Sequence, residues 1–200
     1  METKSRIVRE ALRLFLDKGY ERTSLNDIAG AVGITKPAIY HHFDSKEGLL
    51  QAVLSLFFEE MGEWSSKRFG SCRTLREFLE TTFSSIGAFQ QVADILLGEE
   101  RGETPYSVLE LFLTASKKDP AFRKRLEDGF VRTRGVIAAK LREAQGRAEI
   151  RSDVDCETVA FGIHALIEGT GLIAYIDKSV DVEAIGRAMF EGIWRLIEAR

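Results

Sequence analysis

Residues 23–47 read Thr-Ser-Leu-Asn-Asp-Ile-Ala-Gly-Ala-Val-Gly-Ile-Thr-Lys-Pro-Ala-Ile-Tyr-His-His-Phe-Asp-Ser-Lys-Glu. The stretch opens on Ser24-Leu25-Asn26-Asp27, which has the form of a capping box: Ser24 stands at the N-cap and Asp27 can reach back to its N–H. Ile28, Ala29 and Val32 then fall on one face of a short helix. Gly33 follows, and glycine tolerates the left-handed backbone that lets a chain reverse direction. Thr35 can cap a second short helix, with Pro37 in its first turn, where a missing N–H costs nothing. Asp44-Ser45-Lys46-Glu47 offers the cap of a longer helix that continues through Leu49, Leu50, Val53, Leu54, Phe57 and Phe58.

A short helix, a sharp turn and a second short helix leaning across it make a helix-turn-helix. Ala29 is small where the two helices must approach, and Ile34 fills the space beneath the turn. Ile39 and Phe43, four apart, anchor the second helix and leave its other face free. That face carries Thr35, Lys36, Ala38, Tyr40, His41 and His42. It offers hydroxyls, a cation and imidazoles without an apolar ridge, which suits the major groove of duplex DNA. Tyr40 and His42 are expected to donate to phosphate oxygens. Lys46 is expected to clamp a phosphate together with the N–H groups that open its helix. Thr35, Lys36, Ala38 and His41 are better placed to meet base edges, and Ser24 and Pro37 belong to the same DNA-binding surface. Adjacent histidines on a helix cannot face the same way, so His41 and His42 are not expected to share a metal ion.

Outward from this segment the helical spacing persists. A first helix is expected over Lys4–Lys18, stopping at Gly19. Beyond Gly62 the pattern loosens, with helices expected over Leu75–Leu97 and Tyr106–Ser116 and a loop between them at Gly98–Thr104. Asp119-Pro120 opens a long helix towards Gln145. The last two helices are expected over Asp155–Ile176 and Val182–Glu198. Three prolines in 200 residues, and no texture of short β-branched strands, agree with an all-α fold. The expected division is a three-helix DNA-binding domain over 1–47 and a larger helical domain over 48–200.

A net charge of −3 argues against a generic polyanion binder. Its distribution is more informative: residues 1–47 hold eight Lys/Arg against seven Asp/Glu, whereas the remainder holds twenty against twenty-four. A nearly neutral head on an acidic body fits a small DNA-contacting unit. Cys72 and Cys156 form neither a metal-ligand spacing nor a disulfide framework, which points to the cytoplasm. Thr158–Ile176 is apolar except for His164 and Glu168, and long enough to span a bilayer. Glu168 near its centre, the small residues along it and the lack of a basic flank favour a buried helix, with no membrane partner. No Gly-rich phosphate loop, Gly-x-Ser-x-Gly, Cys–His pairing or metal cluster is present, so neither catalysis nor a cofactor is expected.

Thr-Ser-Leu-x-x-Ile-Ala-x-x-x-Gly-Ile, followed by Ile-Tyr-x-His-Phe-x-x-Lys-x-x-Leu-Leu, resembles the DNA-binding signature of TetR-family transcriptional regulators over about Ile7 to Val53. The resemblance implies a three-helix head, a fourth helix linking it to an all-α ligand-binding domain, and a homodimer built from the last two helices. It also implies a repressor that leaves its palindromic operator when a small molecule binds. Tyr40, His42 and Lys46 fall on the family's phosphate-contacting places, and Thr35 to Ala38 on its base-reading turn. An architectural or adaptor DNA-binding protein without an effector pocket is the alternative.

Eleven of the thirteen phenylalanines lie after Gly48, where they could form a core or line a cavity for an unidentified, largely apolar effector. The candidate lining residues are Phe83, Phe112, Phe130, Arg134, His164, Glu168 and Tyr175. His164 and Glu168, four apart, could bind an effector, pair with each other, or face their copies in a dimer. The helix near 155–176 is apolar almost all round and needs burial on more than one side. With the amphipathic helix near 182–198 it is expected to form a four-helix, two-fold interface.

Overall fold

A computed structural model of the chain describes residues 3–98 and 106–199, and of Tyr106 and Ser107 only the backbone. Ten helices are described: α1 Thr3–Lys18, α2 Leu25–Val32, α3 Lys36–Tyr40, α4 Lys46–Phe69, α5 Leu75–Phe83, α6 Ala88–Leu97, α7 Tyr106–Lys118, α8 Pro120–Gly146, α9 Cys156–Ile176 and α10 Val182–Ile197. Among the described residues there is no strand, only one antiparallel bridge between Ile150 and Glu198. The protein is all-α, with a helix-turn-helix at its N-terminus. The loop expected at Gly98–Thr104 lies, Gly98 apart, outside the described residues.

Two helices differ from expectation. The one expected over Leu75–Leu97 is broken between α5 and α6. There the Ser84 and Ser85 hydroxyls both donate to the Thr81 carbonyl, and Gly87 takes a φ of 91°. Serine side chains that bond nearby carbonyls compete with the helix ladder, and a left-handed glycine ends it. By contrast α4 runs through Gly62 to Phe69, since one interior glycine costs only about 1 kcal/mol relative to alanine.

The helices form two compact units. The first comprises the described residues of Met1–Ser65 and Phe89–Asp119, the second those of Ser66–Ala88 and Pro120–Arg200. This is a grouping by packing and not by role. In the first unit, Ile7, Ala11, Leu12 and Phe15 of α1 are buried, as are Ile28 and Val32 of α2. Tyr20 meets Phe15 edge-on at 5.1 Å between ring centroids. The buried Thr23 hydroxyl donates to the Leu14 and Gly19 carbonyls, at 3.1 and 2.9 Å. From the middle of the sequence, α7 packs on α1, and Arg9 of α1 donates to the Leu96 carbonyl in the last turn of α6.

In the second unit the core includes Leu75, Leu79, Phe83, Ile137, Leu141, Ile163, Phe190 and Ile197. Helix α8 packs along α9, and α10 lies against α5. Asp155 caps α9 by accepting from the Thr158 hydroxyl and from the Thr158 and Glu157 N–H groups, which holds its carboxyl below the usual range. The approach of α10 to α5 depends on Gly186, where a Cβ would stand 2.6 Å from the Phe83 carbonyl oxygen. Overpacking of this kind against backbone outweighs alanine's better helix propensity, so Gly186→Ala is expected to destabilise the fold by about 2 kcal/mol. Urea unfolding measures this, and an unchanged midpoint would mean that α5 and α10 lie farther apart.

Helix α9 is buried on one side only, through Cys156, Ala160, Ile163, His164 and Thr170. Its other side leaves Phe161 62%, Ile173 57% and Ile176 74% exposed, and on α10 Leu196 is 65% exposed. The described residues therefore do not supply the second covering that the composition of α9 calls for.

Candidate functional site

The head is assembled from local hydrogen bonds. The Ser24 Oγ accepts from the Asp27 N–H at 3.1 Å, and the Ser24 N–H donates to Asp27 Oδ2 at 2.8 Å, which completes the capping box of α2. The Ser24 hydroxyl and N–H, both donating to Oδ2, hold the Asp27 carboxyl below the usual range. At the other end of α2, Gly33 adopts φ 75°, ψ 36°, and the Ile34 N–H returns to the Ala29 carbonyl at 2.9 Å. A left-handed residue with this return bond is how a helix stops within one residue, so α3 can start almost at once. Thr35 caps it, accepting from the Ala38 N–H at 3.4 Å, and Pro37 lies in its first turn.

Ile39 and Phe43 are buried, and Ala38 is half-buried. Ser24, Thr35, Lys36, Pro37, Tyr40, His41 and His42 are exposed, Tyr40 by 46%. The Lys36 ammonium lies 5.9 Å from the centre of the Tyr40 ring. Helix α3 proper ends at Tyr40. The His42 and Phe43 N–H groups share the Ile39 carbonyl at 2.9 and 3.0 Å, which carries His41 and His42 through one further tightened turn. Hydroxyls, an ammonium and imidazoles thus stand on one solvent face while the opposite face is locked in the core. That arrangement can donate to phosphates and read base edges.

Lys46 begins α4 as expected, but its side chain is folded inward. Its ammonium donates to the Glu21 carbonyl at 3.4 Å and lies 4.2 Å from the centre of the Tyr20 ring. Partial burial lowers its pKa, against the opposing pull of the Glu21 and Glu47 carboxylates. The Tyr20 hydroxyl donates to Glu47 Oε1 at 3.2 Å, and burial together with that carboxylate raises its pKa. The sequence reading missed Tyr20, Glu21 and Lys118 as neighbours of Lys46. An aromatic after the Gly19 stop was the only local signal, and Lys118 had none.

The candidate effector residues are scattered. In the first unit Phe112 is 2% exposed, enclosed by Phe57, Phe58 and Phe89 at ring distances of 5.2, 5.5 and 5.6 Å. In the second unit Phe83 is part of the packed core. Phe130, His164 and Glu168 do come together. His164 Nε2 is 3.5 Å from Glu168 Oε1, and the Phe130 ring meets the imidazole edge-on at 5.2 Å. Of the three roles open to His164 and Glu168, the structure displays the mutual pair. Arg134 stacks towards Phe161 at 5.8 Å, and Tyr175 lies two turns beyond Glu168, beside the Lys178 ammonium. A groove of about 460 Å³ runs between α9 and α10, lined by Thr158, Val159, Gly162, Ala165, Leu166, Ile193, Leu196 and Ile197. Its wall is aliphatic, unlike the Phe- and Tyr-walled cavity that an effector site was expected to show.

Helices α2 and α3, turning on Gly33 with a polar outer face, define a helix-turn-helix DNA-binding protein. The family model for bacterial regulatory proteins of the tetR family matches residues 7–53, and the one for the tetracyclin repressor-like C-terminal domain matches residues 108–190. The chain belongs to the TetR family of transcriptional regulators, which are not enzymes. It is 28% identical over 151 residues to the HTH-type transcriptional repressor KstR2 of Rhodococcus jostii, covering 74% of this chain and 67% of that one. It is 26% identical over 137 residues to the HTH-type transcriptional regulator CymR of Pseudomonas putida, covering 68% of this chain. The match spans 62% of the length of CymR, short of two thirds. Among solved structures, a Saccharomonospora viridis protein in complex with choline is similar at a TM-score of 0.80 and 26% identity, covering 98% of both chains.

Proposed function

We propose that this DNA-binding regulator is a cytoplasmic repressor that grips a palindromic operator as a homodimer and releases it when a small, largely apolar effector enters its helical body. The observation that carries the DNA-binding part is the solvent face of α3. Lys36, Tyr40, His41 and His42 are exposed on it and on the turn that follows, while Ile39 and Phe43 of the same segment are buried. No packing role accounts for the outward residues. Ser24, Thr35, Pro37 and Ala38 complete the surface, and Lys46 joins it once its side chain swings outward from Tyr20.

The homodimer is supported by the uncovered apolar side of α9 and α10, which a two-fold copy would cover with the same residues. Covering that side also explains a helix apolar and long enough to cross a membrane without placing it in one. Two such heads would meet half-sites about 34–36 Å apart, or a multiple of that spacing. An effector that prefers the conformation with the wrong spacing would release DNA in proportion to its differential affinity for the two states. Phe130, Arg134, His164, Glu168 and Tyr175 are the polar and aromatic groups proposed to meet it, with Phe83 as apolar wall. The similar Saccharomonospora viridis structure, solved in complex with choline, supports a small-molecule ligand.

Electrophoretic mobility of the DNA directly upstream of its own gene tests the proposal. A band resistant to competitor DNA, and lost on adding effector, is expected; no specific shift at any salt concentration would overturn it. A second reading, a DNA-binding protein without an effector site, is favoured by the complete burial of Phe83 and Phe112 in packed clusters. A thermal-shift screen against small amphiphiles separates the two, because a ligand that binds only the folded state raises the midpoint.

A further inference from the structure

Two cations and two carboxylates meet around Tyr20, contributed by three separate parts of the first unit; the Glu47 carboxylate accepts from the Tyr20 hydroxyl. The Lys46 ammonium is 4.2 Å from the ring centre and the Lys118 ammonium, from the last residue of α7, is 5.5 Å from it. Glu21 serves both. Its carboxylate Oε1 is 2.8 Å from Lys118 Nζ, and its backbone carbonyl accepts from Lys46 Nζ at 3.4 Å. Among the described residues the direct contacts of Lys46 are weak, a neutral carbonyl at long range and a ring face, within the field of the Glu21 and Glu47 carboxylates. A carboxylate would hold it roughly twice as firmly as a neutral acceptor, and the one that pulls on it most belongs to the residue whose carbonyl it already touches. Lys118 occupies that carboxylate.

We propose that Lys118 is a positioning residue for DNA binding: by engaging the Glu21 carboxylate and repelling the Lys46 ammonium, it keeps Lys46 loosely seated and free to swing onto a DNA phosphate. The proposal rests on the reading of Lys46 as a phosphate contact. It adds a residue of α7, 72 positions away in sequence, to the determinants of operator affinity. Without Lys118, Glu21 captures Lys46 and the head loses a phosphate contact while every other DNA-facing residue stays in place. The charge repulsion between the two lysines acts in the same direction and lowers the Lys46 pKa.

The test uses the full chain and a 30-base-pair duplex that the wild-type protein enriches from a randomised pool, with affinity read by fluorescence anisotropy across salt concentrations. Lys118→Gln is expected to weaken binding about fivefold, with a salt dependence shallower by about one phosphate per head. Lys118→Arg is expected to bind like the wild type. Adding Glu21→Gln to Lys118→Gln should restore affinity to within about twofold, whereas Glu21→Gln alone should change little, a coupling that a double-mutant cycle isolates. In a Lys46→Gln background, Lys118→Gln should cause no further loss. Should Glu21→Gln raise affinity equally with and without Lys118, or Lys118→Gln still weaken the Lys46→Gln protein, Lys118 acts on DNA through its own charge and the proposal is wrong. A Lys46→Gln protein that binds as well as the wild type, or a pool from which nothing is enriched, would instead defeat the underlying reading of Lys46 or of the head.

Discussion

Exchanging Tyr40 for alanine together with Lys46 for glutamine is expected to lower affinity for duplex DNA by two to three orders of magnitude. A hydrogen bond to a charged group contributes about 1.5–3 kcal/mol where it is desolvated and less at a wet interface, so roughly 1 kcal/mol for each of four contacts in a dimer is a conservative value. Four such contacts give about a thousandfold, and each lost phosphate should also flatten the logarithmic salt dependence by about 0.9. The fold is not expected to suffer. Tyr40 is 46% exposed, and the inner face of its helix is held by Ile39 and Phe43, which are untouched. Titration of a labelled duplex, with far-ultraviolet circular dichroism as the control, makes the measurement. An affinity that survives the double exchange at every salt concentration would show that α3 is not the DNA-reading element.

A charge on the uncovered side of the last two helices should have an effect of similar size by another route. Ile173→Glu combined with Leu196→Glu replaces two aliphatic side chains that are 57% and 65% exposed, Leu196 being part of the groove wall. In a two-fold interface each new carboxylate is buried in apolar surroundings with its symmetry copy nearby. Charges buried without a partner cost several kcal/mol each. The variant is expected to sediment as a single chain at micromolar concentration where the wild type sediments as a pair. Its operator affinity should drop by at least a hundredfold, because two half-sites held together act at a high effective concentration. Because both positions face solvent in the single chain, unfolding temperature reports separately on folding. A wild-type protein that is already monomeric, or a variant that stays dimeric, would rule out this face as the interface.

The head was readable because its determinants act over three or four residues. The Ser24–Asp27 box, the left-handed Gly33, the Thr35 cap and Pro37 each make a bond within one helical turn, and each occurs where the residue types place it. Asp155 and Asp181 cap α9 and α10 through bonds of the same short range. Legibility weakened where neighbouring signals competed. Ser84, Ser85 and Gly87 end α5, whereas Gly62 alone does not end α4, and only the company each keeps distinguishes them.

Sequence alone therefore established an all-α chain and a helix-turn-helix with Ile39 and Phe43 inward and Tyr40 and His42 outward, and it marked an apolar helix followed by an amphipathic one as surfaces that a single chain would struggle to cover. Packing in three dimensions determined the rest. It enclosed Phe112 among Phe57, Phe58 and Phe89, and paired His164 with Glu168 beneath Phe130. It also folded Lys46 onto Tyr20 and brought Lys118 to Glu21. The reason is range. Caps and turns are set by backbone groups a few bonds away, while the partner of a long cation or a buried ring is whichever distant residue the fold carries into reach, and no local pattern records that distance.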